Sequence, residues 1–188
     1  ARIERRAAGR VIVVRDNALQ GLAGTREAQA MAELAPMPRE IAADICHQAL
    51  MRVLPGAAGA EFTPFACGIT KIQRRLGAHF APAQGGSAYT SPRVGQLLQW
   101  IGEALGASEE AGDGAAIGQS SWGPTGFAIL PSLDAAQAVL AAARRAELLA
   151  PGLEIDIVAA RNAGAHVRLG GTAATVTTAA RPSTTAAP

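Results

Sequence analysis

Phe62, Phe65, Ile69, Ile72 and Leu76 recur at spacings of 3, 4, 3 and 4 residues. An α-helix, at about 3.6 residues per turn, gathers all five onto one face. Lys71, Arg74 and Arg75 fall off that face, and Gly77 is the expected stop. A helix with one apolar stripe must bury it against a second layer. What that layer is can be read from the segments on either side.

Val11-Ile12-Val13-Val14 is a short β-branched run and predicts a buried strand, ended by turn residues Asp16-Asn17. After the loop Gly21–Gly24, a helix is expected from about Thr25 to Leu34, with Thr25 as its N-cap. A second helix should begin near Pro38 and stop at Pro55-Gly56. Beyond the striped helix, 80–90 is a Gly/Pro-rich loop. Ser91-Pro92 then reads as an N-cap with proline in the first turn, and Val94, Leu98, Ile101 and Leu105 form the next stripe.

A loop over Gly106–Gly114 leads to a short strand at Ala115–Ile117. A second strand covers Phe127–Leu130, and Ser132 caps a helix over Leu133–Leu149. Leu153, Ile155 and Ile157 alternate with Glu154 and Asp156, as in a half-buried strand. The order is a strand, four helices, two strands, a helix and a strand. It predicts an α+β fold with helices on one face of a small antiparallel, ferredoxin-like sheet. One domain over residues 1–170 is expected, followed by a disordered Thr/Ala/Pro-rich tail at 171–188.

Composition narrows the function classes. The 188 residues carry a net charge of +2, and Lys71 is the one lysine among 17 basic residues. The basic residues are scattered apart from Arg2, Arg5, Arg6 and Arg10, which speaks against nucleic-acid binding. No run of about 18 apolar residues predicts a membrane span, and no secretory leader is visible, so a cytoplasmic protein is expected. Cys46 and Cys67 have no CxxC partner and read as two buried, reduced thiols. The histidines His47 and His166 show no metal-ligand spacing, and no metal site is expected. Asp113, Asp134, Glu154 and Asp156 form no catalytic pair that spacing supports. Lys71, Arg74 and Arg75 read as a solvated helix side, with phosphate contact as the alternative.

The stretch with most chemical promise is Gly118-Gln119-Ser120-Ser121-Trp122-Gly123-Pro124-Thr125-Gly126. Its glycines permit positive φ and close ligand approach. Successive N–H groups in such a turn can form an anion-binding nest, to which Ser120, Ser121 and Thr125 add hydroxyls. The alternative is a tight hairpin whose serines satisfy their own backbone. Trp122 is either a packing anchor or a stacking surface for a planar ligand. A second polar loop, His79 to Gly86, offers His79, Gln84, Gly85 and Gly86 as further ligand contacts. His79 can equally be a helix-end structural residue, and Gln84-Gly85-Gly86 a plain turn.

The run Gly118 to Thr125 resembles the C-terminal glycine-rich motif of the GHMP kinase superfamily. Its "GQSSWGPT" form is similar to that of β-ribofuranosylaminobenzene 5′-phosphate synthases. Gly21, Gly24 and Glu27, the His79–Gly86 loop and Tyr89-Thr90-Ser91-Pro92 fit the same family, so the likeness runs from about Val11 to Ala165. The resemblance implies condensation of phosphoribosyl pyrophosphate with 4-aminobenzoate or a related benzoate. The reaction releases CO2 and pyrophosphate, in tetrahydromethanopterin biosynthesis. It further implies Mg2+ with the pyrophosphate, no bound organic cofactor, small-molecule partners and a homodimer as an option, although no stripe marks an interface. In this frame the Gly118–Gly126 turn would stabilise the leaving group and Trp122 would stack on the benzoate ring.

Two alternatives stand beside it. One is an ATP-dependent GHMP small-molecule kinase, which the tryptophan and proline of the motif disfavour. The other is a non-catalytic ligand-binding module. The superfamily's other glycine/serine-rich phosphate motif has no counterpart here. The chain is therefore expected to be the C-terminal portion of a longer enzyme and inactive alone.

Overall fold

A computed structural model describes residues 9–106 and 114–161. Four strands, β1 (Arg10–Asp16), β2 (Ala116–Gln119), β3 (Thr125–Leu130) and β4 (Leu153–Ala159), form one sheet in the order β2-β3-β1-β4. Every neighbouring pair is antiparallel. With helices between β1 and β2 and between β3 and β4, this is the ferredoxin-like α+β arrangement that the element order predicts.

The register sorts side chains by face. Ile12 lies opposite Ala128 and Ile157, and Val14 opposite Gly126 and Ile155. Because side chains alternate along a strand, Ile12, Val14, Ile117, Ala128 and Leu130 share one face. That face is buried under α5 (Pro92–Ala104) and α6 (Leu133–Arg145). Val94, Leu97, Leu98 and Ile101 of α5 and Ala136, Val139 and Ala143 of α6 complete this main core. Both helices begin as their sequences predict. Ser91 Oγ accepts from Val94 N at 3.2 Å, and Ser132 Oγ accepts from Ala135 N at 3.1 Å.

The long helix α4 (Phe62–Phe80) lies along β2 and covers the opposite face near that edge. Phe62, Phe65, Ile69 and Ala66 pack there with Val11, Ala116, Phe127 and Ile129. The five-residue stripe is only half-buried, however. The fully buried side of α4 is Ala66, Cys67, Gly68 and Thr70, whose small side chains allow close approach. Thr70 and Gln73 also bond β2 directly. Ile117 N donates to Thr70 Oγ1 at 3.2 Å, and Gln119 N donates to Gln73 Oε1 at 3.0 Å. The helix thus satisfies N–H groups on the outer edge of β2 that no further strand among the described residues covers.

Several boundaries differ from the expectation. The N-cap of α1 (Thr25–Glu33) is Gly24, with φ 62° and no side-chain bond, so Thr25 is the first helical residue instead of the cap. Pro55-Gly56 does not stop the second helix. The chain runs through α2 (Arg39–Gln48), a π-helical segment Ala49–Val53 and α3 (Leu54–Gly59), and ends at Ala60 with φ 57°. Leu54 N bonds Ala49 O, five residues back. This widened turn brings Pro55 into the first turn of α3, where its missing N–H costs little. Nor does Gly77 end α4. A Cβ there would come 3.0 Å from Ala88 Cβ, so glycine serves the packing of the following loop.

Lys71 and Arg75 are not simply solvated, because both face Asp44 of α2, at 3.5 and 3.1 Å. A hydrogen bond from Gln48, followed by Arg75 and Lys71, holds the Asp44 carboxyl below the usual range despite its partial burial. Of the two thiols only Cys67 is buried; Cys46 sits on the outward side of α2. Glu154 and Asp156 pair with Arg15 across β1 and β4, at 2.9 and 2.6 Å. Asp113, His166, the 170/171 boundary and the tail lie outside the described residues.

Candidate functional site

The β2–β3 turn is built largely from its own hydrogen bonds. Ser120 N donates to Thr125 O at 2.8 Å and Gly123 N to Ser120 O at 2.9 Å. Ser121 and Gly123 both take positive φ, 50° and 63°, and the Gly123–Pro124 peptide is cis. With Gln119 N committed to Gln73, three of the turn's N–H groups are spent inside the protein. An anion nest made from those three groups is not formed.

Gln119 is the hub of the surrounding network. Its Oε1 accepts from Thr90 N at 2.7 Å. Its Nε2 donates to Gln84 Oε1 at 2.7 Å and to Ser121 O at 3.1 Å. The Thr90 hydroxyl lies 2.8 Å from both Gln84 Oε1 and Trp122 O, and its single proton is shared between them. Both segments singled out in the sequence, Gly118–Gly126 and the His79–Gly86 loop, are thereby joined through Gln84, Thr90 and Gln119.

Trp122 is 8% exposed. Its indole Nε1 donates to Glu27 Oε1 of α1 at 2.9 Å, and Phe80 meets its ring edge-on at a centroid distance of 4.9 Å. α1 has no buried residue. It is held by this bond and by the loop before it, where Gly21 lies so close under the turn that a Cβ would run into the carbonyl oxygens of Trp122 and Gly123.

Between α1, α4, the 81–90 segment and the turn opens a cleft of about 410 Å³. Gly118, Gln119, Ser121 and Trp122 line one wall, and Gln84 contributes from the second loop. The remaining predicted site residues lie elsewhere. Ser120, Gly123, Pro124 and Thr125 shape the turn without lining the cleft. His79, in the last turn of α4, stands edge-on to Phe80 with centroids 5.1 Å apart. Gly85 and Gly86 adopt positive φ, and Gly86 N closes the short 3-10 turn Ala81–Gln84 onto Ala81 O at 2.8 Å.

Among the lining residues, sequence reasoning missed Gln73; Arg74 entered only as a solvated residue with phosphate contact as the alternative, Phe80 only within the His79–Gly86 loop, and Glu27 and Tyr89 only as parts of a family pattern. The cleft has aromatic walls, Phe80, Tyr89 and Trp122, and its charged residues are Glu27 and Arg74. Burial pushes the Tyr89 hydroxyl upward, partly offset by the Arg74 charge. A signal for Gln73 was present. Thr70 and Gln73 are an i, i+3 polar pair within the striped helix, a spacing that shares one face.

Residues 71–148 match the family described as GHMP kinases C terminal. The span begins in α4, crosses the cleft and the turn, and ends just past α6. The domain has the GHMP kinase C-terminal fold. No curated protein sequence matches the chain. Among solved structures, this GHMP C-terminal-type domain is similar to one described as MDDEF in complex with MVAPP, AMPPCP and magnesium. That likeness has 14% identity over 80% of this chain and 46% of that one, with a TM-score of 0.50. Homoserine kinase from Cytophaga hutchinsonii is similar at 15% identity over 86% of this chain and 44% of that one, with a TM-score of 0.45. The chain spans less than half the length of either structure. No helix among the described residues is long and apolar enough to cross a membrane.

Proposed function

We propose that the GHMP-type domain forms one wall of the active site of a β-ribofuranosylaminobenzene 5′-phosphate synthase-like enzyme. This enzyme would be a decarboxylating glycosyltransferase that joins phosphoribosyl pyrophosphate to 4-aminobenzoate or a related benzoate. The observation that carries the reading is the cleft itself. It is walled by Gly118, Gln119, Ser121 and Trp122 of the motif, and Gln84 of the second loop meets them there.

The reaction is consistent with the cleft's chemistry. The ring carbon bearing the carboxylate forms a bond to the anomeric carbon as the bond to pyrophosphate breaks. The electron pair of the ring–carboxylate bond then restores aromaticity as CO2 leaves. No proton transfer is needed for the net change at carbon, so positioning and charge stabilisation supply the catalysis. The cleft lining contains no histidine.

Mg2+ does not fit a dedicated cage here. Among the described residues no group of three or more His, Cys, Asp or Glu is placed to hold a metal ion. Glu27, the carboxylate in the cleft lining, is engaged by Trp122. A metal accompanying the pyrophosphate would be held mainly by phosphate oxygens and water, with one or two carboxylates at most.

The test is product formation by the complete gene product and by residues 1–188 separately. Each is given phosphoribosyl pyrophosphate and carboxyl-labelled 4-aminobenzoate, and CO2 release is followed against ATP consumption. Labelled CO2 from the complete protein and none from residues 1–188 is the expected result. ATP consumption with a small-molecule alcohol, without CO2 release, would replace this reading by the kinase. In the complete enzyme, Ser121→Ala and Trp122→Ala should lower kcat/KM by at least 10-fold, whereas unchanged values would remove the motif from the site.

A further inference from the structure

We infer that this cleft is the subsite for a small planar aromatic carboxylate, and that Arg74 is the residue that recognises its carboxylate. The inference rests on the functional reading above and assigns a part of the substrate to this wall.

Three observations carry it. The walls are aromatic rings, Phe80, Tyr89 and Trp122, which favour a flat ring through stacked or edge-on contact. At about 410 Å³ the cleft accommodates a single-ring ligand with room to spare. Its polarity is uneven. Arg74 is the cation and Glu27 the anion of the lining, so an anionic group is drawn toward Arg74 and kept from Glu27. A guanidinium also matches a carboxylate with two parallel N–H donors.

The same geometry disfavours a polyphosphate. The N–H groups of Gln119, Ser120 and Gly123 are paired within the protein. A pyrophosphate in the cleft would meet one guanidinium, three glutamine side chains and apolar rings. It would also lie beside the Glu27 carboxylate. The pyrophosphate-binding donors therefore belong to another wall of the active site.

The position of Arg74 has a kinetic consequence. Its ion pair with the carboxylate is strongest before reaction and is lost as CO2 departs. Such an interaction stabilises the ground state more than the transition state. Removing it should therefore raise KM at least 10-fold while leaving kcat unchanged or higher. A merely structural role would lower kcat as well.

The experiment uses the 188-residue chain and follows the indole N–H resonance of Trp122, distinguished from that of Trp100 by Trp100→Phe. The probes are benzoate, benzamide, adenosine and inorganic pyrophosphate. Benzoate should shift the Trp122 resonance saturably. Arg74→Ala should weaken benzoate at least 10-fold, Arg74→Lys should recover part of the loss, and benzamide should be indifferent to both changes. Arg74 is exposed, so an unchanged amide spectrum is expected to verify the fold of each variant.

The inference is overturned if benzoate leaves Trp122 unmoved or binds Arg74→Ala as well as the parent. It is likewise overturned if adenosine or pyrophosphate moves Trp122 as strongly as benzoate at equal concentration. The two readings fail separately. CO2 release by the complete enzyme without benzoate binding here would sink the subsite alone. Benzoate binding without CO2 release would sink the synthase reaction alone.

Discussion

Trp122 donates its indole N–H to Glu27 Oε1 at 2.9 Å, and this bond ties a helix with no buried residue to the turn that walls the cleft. A nine-residue helix is not stable by itself, so α1 depends on this tether and on the close seat of Gly21. Glu27→Ala should cost about 1 kcal/mol of local stability. Amide exchange in α1 would then accelerate by about five-fold, with little change in global unfolding. Glu27→Gln keeps an oxygen that can accept the indole proton and should stay near the parent rate. Equal exchange rates in α1 for the parent and Glu27→Ala would remove the tether.

Gln119 spends both ends of its amide on Thr90, Gln84 and Ser121. Gln119→Ala leaves the Thr90 N–H without its acceptor and the Gln84 oxygen with the Thr90 hydroxyl as its remaining donor. The expected loss is about 2–3 kcal/mol. Gln119→Glu should lose less, because Gln84 can turn its amide around and donate to the new carboxylate. Urea unfolding of the three proteins checks the order; a glutamate variant weaker than the alanine variant would contradict it.

The sequence made the framework readable where a local rule and the tertiary structure agree. Ser91 and Ser132 cap helices because a hydroxyl there meets an otherwise orphaned N–H whatever the rest of the fold does. The alternating pattern of β4 likewise needs one covered face and little else. The misplaced stops have a common cause. Pro55 and Gly77 read as breakers, but Pro55 is accommodated by the π-helical segment before it and Gly77 by the loop that packs on it. Both compensations lie outside the local window. The cleft was legible in part for the same reason. Its turn has strong composition, whereas Arg74, Gln73 and Tyr89 enter only because α4 lies along β2.

Asp16 illustrates a site that turn chemistry concealed. It is 1% exposed. It accepts from the Ser91 hydroxyl at 2.6 Å, from Arg93 Nε at 3.2 Å and from Ala18 N at 3.1 Å. The Ser91 bond, then Arg93 and Ala18, hold its carboxyl below the usual range against the opposing effect of burial. A carboxylate lowered on folding contributes stability that is full above its unfolded pKa of about 3.9. That stability is lost as pH falls through the lower folded value. Stability should therefore drop below about pH 4, and Asp16→Asn should flatten part of that slope. Asp44 and Glu154 are lowered too and retain the remainder. Arg93 is half-buried, so solvent weakens its share of the effect, and the Ser91 bond is the larger cause. Urea midpoints of both proteins from pH 3 to pH 7 measure the effect, and parallel curves would refute it.

The edge of β2 gives the sharpest test of how α4 satisfies the outer N–H groups of a strand. Thr70 is 2% exposed, and its hydroxyl accepts from Ile117 N at 3.2 Å while lying 3.4 Å from Ala115 O. Thr70→Val keeps the shape but leaves the Ile117 N–H buried without an acceptor, at a cost of about 1–3 kcal/mol. Thr70→Ser restores the oxygen and loses a methyl, at about 1 kcal/mol. If the hydroxyl matters, serine is the milder change, and the Ile117 amide should exchange faster in the valine variant alone. If close packing of α4 on β2 were the whole basis of the contact, valine would be the milder change.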